Sequence, residues 1–264
     1  MRRLHRPPAE QSHPHRARLP VTRIFDTHCH IDAYPDPLEV LREADDQGID
    51  VVAVTESPDA YRRLRTRLGP RAGVVVALGL HPASPAAAGP GQLERFFRLA
   101  AGADWIGEIG LDFGSSTSHS DKQRQLHTLH GLLEHTAVAA KPLTVHSRGA
   151  AKETIEALSR SEARRAVLHW YSGPLRLVDA ALDAGCRFSI NPAMLGVKGR
   201  DLITMLPRDR VLCETDGPYC RTAGRPARPP DVDRVVDALA GLWNVETAEA
   251  HQLLESNRRK LTAP

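Results

Sequence analysis

Along the chain, short apolar runs rich in β-branched residues alternate with longer stretches whose apolar positions recur at helical spacing. The runs are RIFDTH (23–28), DVVAVTES (50–57), AGVVVALGLH (72–81), DWIGEIGLD (104–112), KPLTVHS (141–147), RAVLHWYS (165–172), CRFSINP (186–192) and RVLCETDGP (210–218). Eight runs separated by amphipathic segments describe repeated βα units on a parallel sheet. Several helix ends are legible. PDPLEVLREADDQG closes on Gly48, SDKQRQLHTLHGLLEHTAVAA opens on a Ser120 or Asp121 cap, and GPLRLVDAALDAG closes on Gly185. PDVDRVVDALAGLWN and TAEAHQLLESNRRKL supply closing helices, the second with Thr247 as its N-cap. With no solenoid repeat and no long internal linker, eight units in about 240 residues predict a closed (β/α)8 TIM barrel spanning residues 23–264 as one domain.

Composition narrows the class without naming a function. Hydrophobic residues make up 41% and charged residues 25% of the 264, as in a globular protein, and no apolar run reaches the roughly 20 residues of a membrane span. The formal charge of +3 is unevenly distributed. Residues 1–23 hold six arginines against Glu10, which leaves the rest of the chain slightly negative. Residues 1–22 lack the apolar segment of a secretory signal and read as a disordered basic extension. Cys29, Cys186, Cys213 and Cys220 show no CxxC spacing and too low a density for a disulfide framework, which favours a reducing, cytoplasmic setting.

Chemistry enters where polar residues interrupt the apolar runs. His28 and His30 end the first run, His81 the third, Glu108 and Asp112 the fourth, His146 the fifth, His169 the sixth and Asp216 the eighth. Barrel active sites lie at the C-terminal strand ends, so these groups converge on one rim. His28 and His30 share a face at strand period two and present two imidazoles to one cation. Four histidines and two carboxylates exceed the needs of one tetrahedral ion and suit two divalent metals, with Glu108 the natural bridge between the flanking pairs. The ligand types admit Zn, Mn or Mg, with imidazole favouring the first two. His127, His130 and His135 read as a solvated helix face, and Asp26 and Asp32 as groups that orient the histidines or the following loop.

The motifs FDTHCHID, GLHP (79–82), IGEIGLD (106–112), VHSR (145–148), HWYSG (169–173), SINP (189–192) and ETDGP (214–218) resemble, in order, those of the TatD family of metal-dependent deoxyribonucleases, in the amidohydrolase superfamily. The resemblance covers residues 24–258. It implies a metallo-dependent hydrolase that cleaves DNA phosphodiesters, with one metal on His28, His30 and Asp216, a second on His146 and His169, and Glu108 between them. Asp216 would also orient or deprotonate the attacking water. Trp170 and Tyr171 stand where the common pattern has Cys-Phe. With HWYSG, FSINP, ETDGP and DAYPDP, the chain is most similar to the TatD-like nuclease of the Qat anti-phage defence system, which implies an ATPase and a QueC-like protein as partners.

For the substrate, Arg148 follows the fifth strand, and the loop PYCRTAGRPARPP places Arg221, Arg225 and Arg228 near the same rim as phosphate partners. Trp170 offers a ring for a base, and His81 and Asp112 stand behind the metal ligands or against the substrate. Ser147 and Asn191 are weaker candidates. Other readings of the scaffold are removal of a D-amino acid from mischarged tRNA and a non-catalytic subunit of a defence assembly. Phosphotriesterase-like and dihydroorotase-like chemistry commonly uses a carboxylated lysine bridge. None of the five lysines, Lys122, Lys141, Lys152, Lys198 and Lys260, ends the fourth strand.

Overall fold

The computed structural model describes residues 23–85, 89 and 91–263; the basic extension expected at 1–22 lies outside these. All eight expected strands form, in order. They run with their helices as β1 (Ile24–Cys29), α1 (Pro37–Asp46), β2 (Ile49–Ala53), α2 (Pro58–Leu68), β3 (Val74–Val76), α3 (Gln92–Ala100) and β4 (Ile106–Gly110). Next come α4 (His119–Glu134), α5 (Thr136–Ala139), β5 (Leu143–His146), α6 (Ala151–Ser159), β6 (Ala166–His169), α7 (Val178–Asp183), β7 (Arg187–Ile190), α8 (Val197–Met205) and β8 (Val211–Cys213). A small hairpin, β9 (Arg221–Thr222) with β10 (Arg225–Pro226), then precedes α9 (Val232–Trp243) and α10 (Thr247–Thr262).

β1–β3 and β4–β8 pair in parallel in chain order, and the two arcs close into a barrel. At the first seam Leu78 bridges Ile106, and Leu80 N–H donates to the Glu108 carbonyl at 2.9 Å. At the second, Asp216 N–H donates to the His28 carbonyl and His30 N–H to that of Gly217, both at 2.8 Å. Regular strands stop short of the sequence runs: His28, Glu108, His146 and His169 lie within them, whereas His30, His81, Asp112 and Asp216 follow their ends. Val52, Val54, Ala77, Trp105, Val167 and Leu212 form an apolar cluster separate from the main core. Strand alternation puts Val167 on the same face as His169, and Leu212 on that of Glu214, so this cluster is the barrel's inner floor beneath the polar rim.

Helix starts follow local chemistry. Asp36 caps α1, its Oδ1 accepting from Leu38 and Glu39 N–H, with Pro37 in the first turn; Tyr34 is buried with its hydroxyl on the Ala227 carbonyl. The stretch AYPDP therefore has a packing role. The expected cap of α4 moves to Ser118, whose Oγ accepts from Asp121 N–H at 3.1 Å, because a Ser-x-x-Asp pair starts there, ahead of Ser120 and Asp121. Thr247 is the first helical residue of α10 behind Glu246; its hydroxyl binds Asp237 at 3.2 Å and ties α10 to α9 instead of capping. Among the described residues no helix is long and apolar enough to cross a membrane, and all four cysteines are buried and free.

Candidate metal centre

β1 delivers the first two groups. His28 and His30 project into the barrel mouth with their Nε2 atoms 3.1 Å apart, and both rings are buried. Asp216, just past β8, brings Oδ1 to 3.4 Å from His28 Nε2 and 3.5 Å from His30 Nε2. Its backbone adopts φ 48°, a left-handed conformation that costs a non-glycine residue on the order of 1–3 kcal/mol and recurs at functional sites.

Glu108 occupies the middle of the rim, and its two oxygens face different neighbours. Oε2 lies 3.3 Å from His30 Nε2 and 3.6 Å from His28 Nε2. Oε1 lies 2.6 Å from His146 Nδ1 and 2.7 Å from His169 Nε2. His81 Nε2 is 3.5 Å from Oε1. Gly110 permits this arrangement. At φ 138°, a Cβ there would fall 2.1 Å from the His146 carbonyl oxygen, so a side chain would push β5 and its histidine away.

The charges of these groups are tightly coupled. Burial alone would raise the Glu108 pKa, but His169, His81 and His146 outweigh it and hold the carboxyl well below its usual range. Burial opposes protonation of His169, His146 and His30, yet the carboxylates beside them raise all three, His169 most strongly. Burial and then the neighbouring His169 push His28 well below its ordinary value. Burial lifts Asp216 to about 7, only partly offset by His169 and His30.

These residues fit a bound cation on the structure's own terms. Asp216 Oδ1 is buried without a hydrogen-bond partner while aimed at two imidazole nitrogens. Buried polar atoms are rarely left unpaired, and an ion among Asp216 Oδ1, His28 Nε2, His30 Nε2 and Glu108 Oε2 would satisfy all four. His146 Nδ1, His169 Nε2 and Glu108 Oε1 form a second convergent set, with His146 Nδ1 and His169 Nε2 3.1 Å apart.

Behind these groups stands a layer that sequence reasoning found only in part. Asp112 Oδ2 receives His146 Nε2 at 3.0 Å, leaving Nδ1 for the centre. Glu214 was missed, although it directly follows β8 and stands two residues before Asp216. Fully buried, it accepts from Trp170 N–H at 3.0 Å, from Asn191 Nδ2 at 3.1 Å and from Ser189, with His169 Nδ1 3.8 Å away. Asn191 thus acts through Glu214. Asp26 accepts from His28 N–H at 3.2 Å and Thr215 N–H at 2.9 Å, tying β1 to the segment that presents Asp216. Asp32 is exposed in the single 3-10 turn Ile31–Ala33 that follows His30.

A cavity of about 630 Å³ opens over the centre, lined by His30, His81, Glu108, His146, His169 and Asp216 and, at its mouth, by Arg148, Trp170, Glu56 and Tyr219. Arg148 is 70% exposed, 3.8 Å from Asp112. Trp170 lines the wall at φ 38°, while Tyr171 is buried edge-on to Phe188 with its hydroxyl donating to the Pro174 carbonyl at 2.9 Å. The expected basic patch after β8 does not form. Arg225 is paired with Asp231, and Arg228 with Glu43 at 2.6 Å, while Arg221 turns back to the Gly224 carbonyl; none lines the cavity. From that loop it is Tyr219 that reaches the site.

Imidazolium groups must lose protons to ligate, which gives the centre a pH signature. Protons on His146 and His169 favour the metal-free fold below the ordinary histidine pKa, and that contribution is lost as pH rises through their raised values. The ionised Glu108 contributes above its ordinary pKa and is lost as acid protonates it. The thermal stabilisation by added Mn²⁺ or Zn²⁺ is therefore expected to be larger at about pH 8 than at about pH 6. Differential scanning fluorimetry with and without metal checks this, and a shift equal at both pH values contradicts it.

Comparison with known proteins follows the same lines. Residues 25–263 match the family model of the TatD related DNases. The uncharacterized metal-dependent hydrolase YcfH of Escherichia coli K12 is 28% identical over 258 residues, covering 90% of this chain and 95% of its own length. The 3'-5' ssDNA/RNA exonuclease TatD of Erwinia billingiae is 30% identical over 244 residues, covering 84% and 91%. The crystal structure of YjjV, a TatD homologue from Escherichia coli K12, superposes with a TM-score of 0.80 at 26% identity, covering 91% of this chain and 98% of that one.

Proposed function

The chain belongs to the TatD family of metal-dependent hydrolases, and on that premise we propose that it hydrolyses DNA phosphodiester bonds at a two-metal centre. The observation that carries the proposal is the split of Glu108, one oxygen toward His28 and His30 and the other toward His146 and His169. His28, His30 and Asp216 would hold one divalent ion and His146 and His169 the other, with Glu108 shared. The Erwinia relative's description as a nuclease supports the substrate class. When bound, the ions supply Lewis-acid charge to the reacting phosphoryl group and the leaving oxygen.

The chain's own residues do the rest. Asp216, at the cavity wall, orients the attacking water and takes its proton. Arg148 neutralises a phosphate at the mouth, and its exposure leaves it free to follow the substrate. His81 faces the cavity from beside Glu108 and donates to a phosphoryl oxygen. Asp112 keeps the His146 ring oriented, and the Glu214 carboxylate lies 3.8 Å behind His169 Nδ1 as a buried counter-charge. The test is release of nucleotides from single-stranded and duplex DNA with Mn²⁺, Mg²⁺ or Zn²⁺, run beside D-aminoacyl-tRNA. Metal-dependent cleavage of DNA that EDTA abolishes is the expected result; release of amino acid with the DNA intact overturns it.

The finer reading is that this is the nuclease component of a Qat-type anti-phage system, working in the cytoplasm with an ATPase and a QueC-like protein. HWYSG, FSINP and ETDGP support it, whereas DAYPDP now has a local packing explanation. The genes flanking its own decide the matter, and their lacking both partners would remove the reading.

A further inference from the structure

The two sides of the cavity mouth differ in charge. Arg148 follows β5, and Trp170 follows β6. Across the ring, Glu56 follows β2, and Tyr219 packs edge-on against His30, just past β1, with ring centroids 4.7 Å apart. In an eight-stranded ring the β1–β2 and β5–β6 sectors are diametrically opposed.

Glu56 is half-buried, and its backbone is fixed where its carbonyl accepts His81 N–H at 3.0 Å. Its carboxylate has one partner among the described residues, the Tyr219 hydroxyl at 3.3 Å, and no cation within ion-pair distance. An uncompensated carboxylate is an adverse lining for a site that takes a polyanion, since a phosphate brought beside it meets like charge. It is a favourable lining for a hydroxyl, which donates a hydrogen bond to it. A strand lying over the metal centre therefore keeps its continuing phosphates on the Arg148 side. What reaches Glu56 must carry no negative charge.

Building on the phosphodiesterase reading, we propose that Glu56 is a specificity-determining residue that admits a nucleic-acid end carrying a free hydroxyl and rejects the same end carrying a phosphate. Tyr219 closes the wall beside it. The terminal sugar hydroxyl donates to the Glu56 carboxylate while the adjoining phosphodiester lies over Glu108 and Asp216.

The experiment uses the Mn²⁺-loaded full-length protein and three single-stranded oligonucleotides of one sequence, with hydroxyls at both ends, a 5'-phosphate, or a 3'-phosphate. Wild type should cleave the hydroxyl-ended strand at least about tenfold faster than one of the two phosphorylated strands. Glu56→Gln should shrink that ratio to about twofold or less by accelerating the phosphorylated strand, and Glu56→Lys should reverse it. The ratio is internal to each variant, so a general loss of activity cancels. Tyr219→Phe removes the phenol hydroxyl but keeps the charge and should retain the preference; its loss there would show that Glu56 acts only by placing Tyr219 and would overturn the proposal. Indifference of wild type to both phosphates, or an undiminished preference in Glu56→Gln, also overturns it. Bis(p-nitrophenyl) phosphate, a diester with no strand end, separates the two failures. If wild type cleaves neither it nor DNA, the phosphodiesterase reading has failed, whereas cleavage without end preference removes only the role of Glu56.

Discussion

Glu108→Gln is expected to lower DNA hydrolysis by about 10³-fold or more, and to reduce bound metal, without unfolding the protein. Glutamine keeps the size of the side chain, so the packing under the rim has no reason to change. It removes the negative charge and turns one of the two ends from an acceptor into an NH₂ donor. Because Oε1 and Oε2 face separate histidine pairs, both pairs lose the negative charge and, whichever end becomes the NH₂, one pair also loses its acceptor oxygen. The same charge holds protons on His169 and His146. The variant should therefore release fewer protons for each ion it still binds. Elemental analysis of the purified variant beside an oligonucleotide assay checks the prediction, and full metal content with near-normal turnover would refute it.

Asp216→Asn should separate stability from activity. Hydrolysis is expected to fall by about 10³-fold or more, because asparagine cannot take a proton from water. The metal-free variant should be at least as stable as wild type at about pH 8. Burial raises the folded-state pKa of Asp216 to about 7, above its unfolded value. The native protein therefore binds this proton more tightly, and the group's effect on stability worsens as pH rises through that range. Asparagine removes a charge that Oδ1 holds without a hydrogen-bond partner. Urea denaturation of both proteins after chelation is the measurement. A variant markedly less stable than wild type at that pH would show that the carboxylate contributes to folding more than its burial costs.

Most of the centre was legible in the sequence because barrel geometry converts a one-dimensional mark into a place. A polar residue at the end of an apolar run projects at the rim, and His28, His30, Glu108, His146, His169 and Asp216 all arrive there. The arginines after β8 were misread because their partners are set by tertiary structure. Arg228 meets Glu43, 185 positions away. No local pattern announces that pairing, and a Pro-rich basic loop looks equally suited to phosphate. Glu214 and Glu56 were missed for a different reason. Each lies in a recognised run beside more conspicuous residues, and only burial and contacts show that Glu214 faces inward to three donors and that Glu56 reaches the cavity.

The seam between β1 and β8 also bears on how the protein is made. Asp26 reaches Thr215 across 189 positions of chain, and the ligand set runs from His28 near the start of the barrel to Asp216 near its end. During synthesis from the N-terminus, the nascent chain exposes His28 and His30 long before the carboxylate that completes their cluster exists. The cluster therefore cannot be completed until β8 and the segment that carries Asp216 have been made.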